Sequence, residues 1–198
     1  MVGRGDDHER MEAALACPTA RLDGVADGVD RAVVDVDAGR RPTTLCAIQA
    51  TVDRSLQGQG LSRMVLRGMR YRAAQAGLTA LIAPVRPTLK QHYPLTPLER
   101  YMHWTQPDGS PFDPWLRTHW RLGAPIVKVA DPSMVIEGAL ADWEKWTQLR
   151  FPESGQYIVP GALNPIIIDC ETDRGRYSEP NVWMQHAITE TDGVLQGG

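Results

Sequence analysis

The chain has 198 residues, enough for one well-filled core, and its 42% hydrophobic and 23% charged residues are the balance of a folded domain rather than a disordered or fibrous chain. Its formal net charge of -3 leaves no surplus of Lys and Arg to neutralise a run of phosphates, which argues against a nucleic-acid partner. The apolar stretches Leu78 to Val85 and Ile166 to Ile168 fall far short of the roughly 20 residues that cross a bilayer, and the N-terminus has no apolar core of a secretory signal, so the expectation is a cytoplasmic protein without membrane contact.

Residues 1–42 are rich in Gly and Asp, with one weak helical pattern around Ala26 to Val36, and form a short atypical segment ahead of a domain over 43–198. Thr43 to Val52 reads as a strand because β-branched residues alternate there without Gly or Pro. After Gly58 and Gly60, the residues Leu61, Met64, Val65, Met69, Ala73 and Ala76 keep a helical period, and Gly77 stands where a helix stops. Leu78 to Val85 then fits a buried parallel strand, which makes a strand, loop, helix and strand unit of right-handed βαβ type. Arg86 to Pro114 carries six prolines and reads as a long surface excursion. Trp115 to Leu122 predicts a helix, and Pro125 to Ala130 with Ser133 to Glu137 predicts a hairpin turned by Asp131 and Pro132. Leu140, Trp143, Trp146 and Leu149 mark another helix, the run IIID a strand, and EPNVWMQH a C-terminal strand. The cysteines Cys17, Cys46 and Cys170 match neither a disulfide framework nor a zinc spacing and read as small buried hydrophobes. No two histidines stand at helical spacing with a carboxylate in range, so no metal site is expected.

A strand that runs into glycines and then a helix gathers free N–H groups and the positive end of a helix dipole at one point, suited to an anion such as a pyrophosphate. Residues 57–62 read QGQGLS. A Walker loop fails because no Lys follows the glycines, and a dinucleotide loop fails because Arg63 stands where its third Gly belongs. With its flanks the stretch resembles the acetyl-CoA loop of the GCN5-related N-acetyltransferase (GNAT) superfamily, written Gln or Arg, two residues, Gly, one residue, Gly or Ala. Gln57 and Gly60 match, Ser62 replaces the last small residue, and Val52 lies at the family's spacing upstream. Downstream, His119 to Ala124 occupy the frame in which that family carries a tyrosine before Leu-Gly-Phe. The runs APVRPTLKQHYPLTPLERY, PFDPWLRTHWRLGA, FPESGQYIVPGALNP and EPNVWMQH extend the resemblance, toward an actinobacterial-type subgroup, from Thr43 to about His186.

The resemblance implies an α/β (α+β) fold: a mixed, mostly antiparallel sheet with splayed central parallel strands, flanked by helices, whose N-terminal elements are incomplete here. It implies that the backbone of Ala50, Thr51 and Val52 pairs with the pantetheine arm of acetyl-CoA, and that Gln57, Gly58, Gln59, Gly60, Leu61 and Ser62 cradle its pyrophosphate. The activity implied is direct acyl transfer to a small-molecule amine, with coenzyme A as product. His119, at the tyrosine position, is the first candidate acid for the departing thiolate, and Tyr93 and Tyr101 are the next. Gln49 holds the place of the family's base, leaving Glu99, His92, His103 or solvent as substitutes. A non-catalytic module that binds coenzyme A or a protein is the alternative that Gln49 and the short N-terminus keep open. Glu179, Asn181, Trp183 and His186 could form an acceptor wall or merely an ordinary strand. The N-terminal deficit leaves a sheet edge uncovered, so a homo-oligomer, or completion by a partner chain, is expected.

Overall fold

A computed structural model describes residues 25–50, 52–56 and 58–193. Helix α1 spans Val25–Asp37, where the sequence carries only a weak periodicity. Strand β1 follows at Thr44–Cys46, much shorter than the expected 43–52. It pairs in parallel with β2, Ala80–Val85, in the register Thr44 with Ala80 through Cys46 with Ile82. One further bond, from the Ala47 N–H to the Ile82 carbonyl at 2.8 Å, ends the ladder. Beyond it no further ladder pair with β2 forms among the described residues, and the strand ends. Between β1 and β2 runs α2, Leu61–Gln75, ended by Gly77 at φ 69.

Two short helical turns, at Lys90–His92 and at α3 (Leu98–Tyr101), break the segment between β2 and α4, Pro114–Arg121. This corrects the expected surface excursion. Leu98, Tyr101 and Lys90 are all buried. Asp113 closes the segment on itself. Its Oδ2 accepts from the Leu89 N–H at 2.8 Å and the Tyr101 hydroxyl at 2.9 Å, and its Oδ1 accepts from the N–H groups of Trp115 and Leu116 as the cap of α4.

The expected hairpin over 125–137 is also corrected. One strand, β3, runs from Ile126 to Gly138 and pairs antiparallel along β6, Arg174–Ala187. Ala130 stands opposite Asn181 and Met134 opposite Glu179, so residues 131–133 bulge out against Pro180 alone. Neither Pro132 nor Pro180 has an N–H for the ladder, and the turn chemistry of Asp131 and Pro132 is absorbed as a bulge. Helix α5 (Leu140–Thr147) and strands β4 (Gly155–Tyr157) and β5 (Ile166–Asp169) complete the order. The sheet runs β1-β2-β6-β5-β4, with β3 along the other edge of β6. Only β1 with β2 is parallel, and that pair stands at the end of the described sheet rather than at its centre.

Alternate residues of β6 face opposite layers. Val182 and Met184 pack under Leu116 of α4 together with Leu98 and Tyr101, while Tyr177 meets Trp143 of α5, and Trp183 meets Ile82 and Cys46. Helix α2 joins the α4 layer, where Arg70 donates to the Leu122 carbonyl at 2.9 Å and pairs with Asp192 at 2.9 Å. Cys46 is partly buried, which pushes its thiol pKa up, and the Cys170 thiol reaches the Phe151 carbonyl; Cys17 lies outside the described residues. No described helix is long and apolar enough to cross a membrane.

Candidate functional site

The loop between β1 and α2 carries two glycines of unusual backbone conformation. Gly58 (φ 81) and Gly60 (φ 78, ψ 4) both adopt the left-handed conformation that a Cβ disfavours. Gly60 is the N-cap of α2, and no side chain caps that end. Its carbonyl takes the N–H groups of Arg63 and Met64, which leaves those of Leu61 and Ser62 without partners among the described residues. An uncapped first turn of this kind attracts negative charge. A Cβ built on Gly58 or on Gly60 would meet nothing within 4 Å, so both glycines face open space.

That space is a cleft of about 390 Å³. One wall is Ala50, Val52 and Leu56 with Gly58, Gly60, Leu61 and Ser62. The opposite wall is Thr88 with Pro114, Trp115 and Thr118 at the start of α4. Six of the nine residues expected at the cofactor, Ala50, Val52, Gly58, Gly60, Leu61 and Ser62, thus come together. Gln59 sits in the loop with its side chain exposed, and Thr51 and Gln57 lie outside the described residues. The second wall went unassigned in the sequence, although Asp113-Pro114 is a strong helix-start signal. Two apolar grooves, of about 690 and 450 Å³, flank the outer edge of β1 toward α2 and α1, and neither contains the loop glycines.

His119 is on α4 but is buried, 1% exposed, with its Nδ1 3.0 Å from Nε2 of the equally buried His186. Burial, and then the neighbouring His186, lower its pKa to about 3, and its Nε2 has no partner among the described residues. Burial and Arg70 lower His186 to about 4, against the opposing pull of the Leu122 carbonyl and Asp192. Burial therefore favours the neutral imidazole over the protonated form that the role of His119 as an acid presumes, and the ring faces His186. Tyr101 is buried too. Its hydroxyl is committed to Asp113 at 2.9 Å, and burial with that carboxylate pushes its pKa far above the usual phenol value. Tyr93 is more open, 36% exposed, and stacks edge-on against Trp104.

Among the other candidates, Gln49 is exposed and lines the outer groove beside α2, and His92, Glu99 and His103 are exposed without reaching the cleft lining. Glu179 is buried and accepts from Arg86 Nε at 2.9 Å and from the Tyr177 hydroxyl at 2.8 Å. Asn181 Oδ1 and Trp183 Nε1 are buried without partners among the described residues. No group of three or more metal-ligating side chains occurs among the described residues.

No family model matches the chain. Over 218 aligned residues, 95% of its length, it is 33% identical to the arginine N-acetyltransferase avaD of Aspergillus versicolor and covers 75% of that protein. Among solved structures it is similar to the loading GNATL domain of CurA from Lyngbya majuscula, at 20% identity and a TM-score of 0.48, over 78% of this chain and 61% of that one. It is also similar to the GphF GNAT-like decarboxylase in complex with isobutyryl-CoA, at 15% identity and a TM-score of 0.45, over 87% of this chain and 68% of that one.

Proposed function

The chain belongs to the GCN5-related N-acetyltransferase superfamily and is an N-acetyltransferase, and from that premise we propose that it moves an acetyl group from acetyl-CoA to an amine of arginine or a similar small amino acid. The observation that carries the reading is the loop itself: two left-handed glycines whose Cβ directions are empty, at an uncapped helix start, beside a strand that has just parted from its neighbour. A pyrophosphate suits that combination, because close approach needs glycine and the charge needs unpaired N–H groups.

Bound acetyl-CoA would supply an activated thioester. The Leu61 and Ser62 N–H groups would hold its pyrophosphate, Ala50 and Val52 would lie along its arm, and Trp115 with Thr118 would close the other side. Such positioning of two reactants is the main source of rate when no covalent intermediate forms. His119, as a neutral imidazole, and Tyr101, whose hydroxyl donates to Asp113, are poor proton donors at neutral pH. Tyr93 is the remaining tyrosine candidate for the thiolate's proton, and it carries that role here as a proposal. The acceptor assignment draws support from the 33% identity to a protein named for arginine, spread over nearly the whole chain.

Isothermal titration with acetyl-CoA, followed by thiol release on adding arginine, tests the reading. Binding in the micromolar range with arginine-dependent release supports it. Absence of binding up to millimolar acetyl-CoA overturns the cofactor site, and binding without release on any amine overturns the acceptor.

A further inference from the structure

We propose that Arg86 and Asn181 form the acceptor subsite and select an α-amino acid, Arg86 holding the acceptor's carboxylate and Asn181 its amine. The inference rests on the amino-acid acceptor proposed above and deepens it. β2 and β6 pair in register up to Val85 opposite Val182, so one further step sets Arg86 opposite Asn181. Residues directly opposite in an antiparallel pair share a face, with Cβ atoms about 5 Å apart. Glu179, two positions along β6 from Asn181, lies on that face as well, about 7 Å away. The Arg86–Glu179 bond at 2.9 Å fits this placement.

The guanidinium of Arg86 is anchored on two sides, by Glu179 and by the Gly161 carbonyl at 2.7 Å. Its Nη1 has no partner among the described residues, and the side chain is 43% exposed. An arginine held rigidly by a buried carboxylate, with donors left over, is preorganised for a second carboxylate. Two residues along β6 from Glu179, Asn181 Oδ1 is a buried acceptor without a donor among the described residues, a state that native proteins rarely leave unfilled. A zwitterion supplies both missing partners at once: a carboxylate for Nη1 and an amine N–H for Oδ1. Two residues beyond Arg86, Thr88 lines the cofactor cleft together with Ala50 and Val52, so the segment that carries Arg86 runs directly into that cleft.

The test compares each amino acid with its decarboxylated amine, arginine with agmatine and lysine with cadaverine. Wild-type protein is expected to prefer the carboxylate-bearing member of the pair by about tenfold or more in kcat/KM, as a charge-assisted hydrogen bond implies. In Arg86→Gln the KM for the amino acid rises about ten- to hundredfold while that for the amine and the acetyl-CoA Kd stay unchanged, which removes the preference. Because Arg86→Gln leaves Glu179 buried without its cation, Arg86→Gln with Glu179→Gln is run beside it and is expected to show the same loss. Asn181→Ala lowers kcat/KM on both members of each pair. Equal wild-type use of amino acids and their amines overturns the subsite and leaves acetyl transfer standing. So does an Arg86→Gln effect shared equally by both. Failure of every amine, carboxylated or not, with acetyl-CoA still bound, overturns the subsite together with the acceptor reading it rests on.

Discussion

Lowering the pH from 7.5 to 5 should destabilise this protein through two side chains in particular. His119 Nδ1 and His186 Nε2 face one another at 3.0 Å in the interior, and their folded pKa values fall to about 3 and about 4. In the unfolded chain each returns to about 6.5. Between these limits the unfolded state binds protons that the folded state refuses, so stability is full above about pH 7.5 and falls as pH drops below about 6.5. For one histidine the loss at pH 5 is RT ln(1 + 10^1.5), about 2 kcal/mol, and for the pair about 4 kcal/mol. The size depends only on the unfolded value while both folded values stay below 5. That is a large share of the roughly 5–15 kcal/mol that holds a domain folded. Urea denaturation followed by circular dichroism at pH 7.5, 6 and 5 measures it, with the double variant His119→Gln, His186→Gln as control. A midpoint that does not move with pH in the wild type, or that moves equally in the double variant, refutes the neutral buried pair.

Three further outcomes follow from the same geometry. Gly60→Trp places an indole in space that is now open and should abolish acetyl-CoA binding by titration, while its left-handed backbone costs about 1–2 kcal/mol in folding; retained affinity would move the pyrophosphate elsewhere. Asp113→Ala strips the cap of α4 and orphans the buried Tyr101 hydroxyl and Leu89 N–H, a cost of about 3 kcal/mol or more, and an unchanged denaturation midpoint would show that these bonds contribute nothing. The outer edge of β1 has no strand partner among the described residues and is flanked by apolar grooves, so pairing with the same edge of a second copy predicts a dimer in light scattering, which Ile48→Lys should dissociate. A monodisperse wild-type monomer contradicts that assembly.

The unit from β1 to β2 was legible in the sequence because its signals are local: a β-branched run, two glycines, a helical stripe and a stop at Gly77. The errors lie where distant residues overrule local chemistry. Asp131 and Pro132 read as a turn, but β6 pairs with both flanks of the pair and leaves only a bulge. Six prolines read as exposure, but Asp113 gathers Leu89 and Tyr101 from up to 24 residues away and closes the segment around a core. At the site, the glycine half of the cleft could be read and the α4 half could not, since nothing in Trp115 or Thr118 by itself says which loop it faces. His119 drew notice by its frame, yet its burial, which weighs most on its protonation, and its partner His186, 67 positions away, come only from tertiary packing. Arg86 reaches Glu179 of β6 only through the register of β2 against β6.

The central claim is acetyl transfer at the glycine cleft, and one measurement bears on it most directly. Purified protein is mixed with acetyl-CoA and arginine, free thiol is followed with time, and the arginine is recovered and weighed by mass spectrometry, with Gly60→Trp in parallel. Thiol release matched mole for mole by arginine carrying one added acetyl group, present in wild type and absent in Gly60→Trp, is the predicted result. Acetylated arginine formed equally by Gly60→Trp, or thiol released with no acetylated arginine, would contradict it.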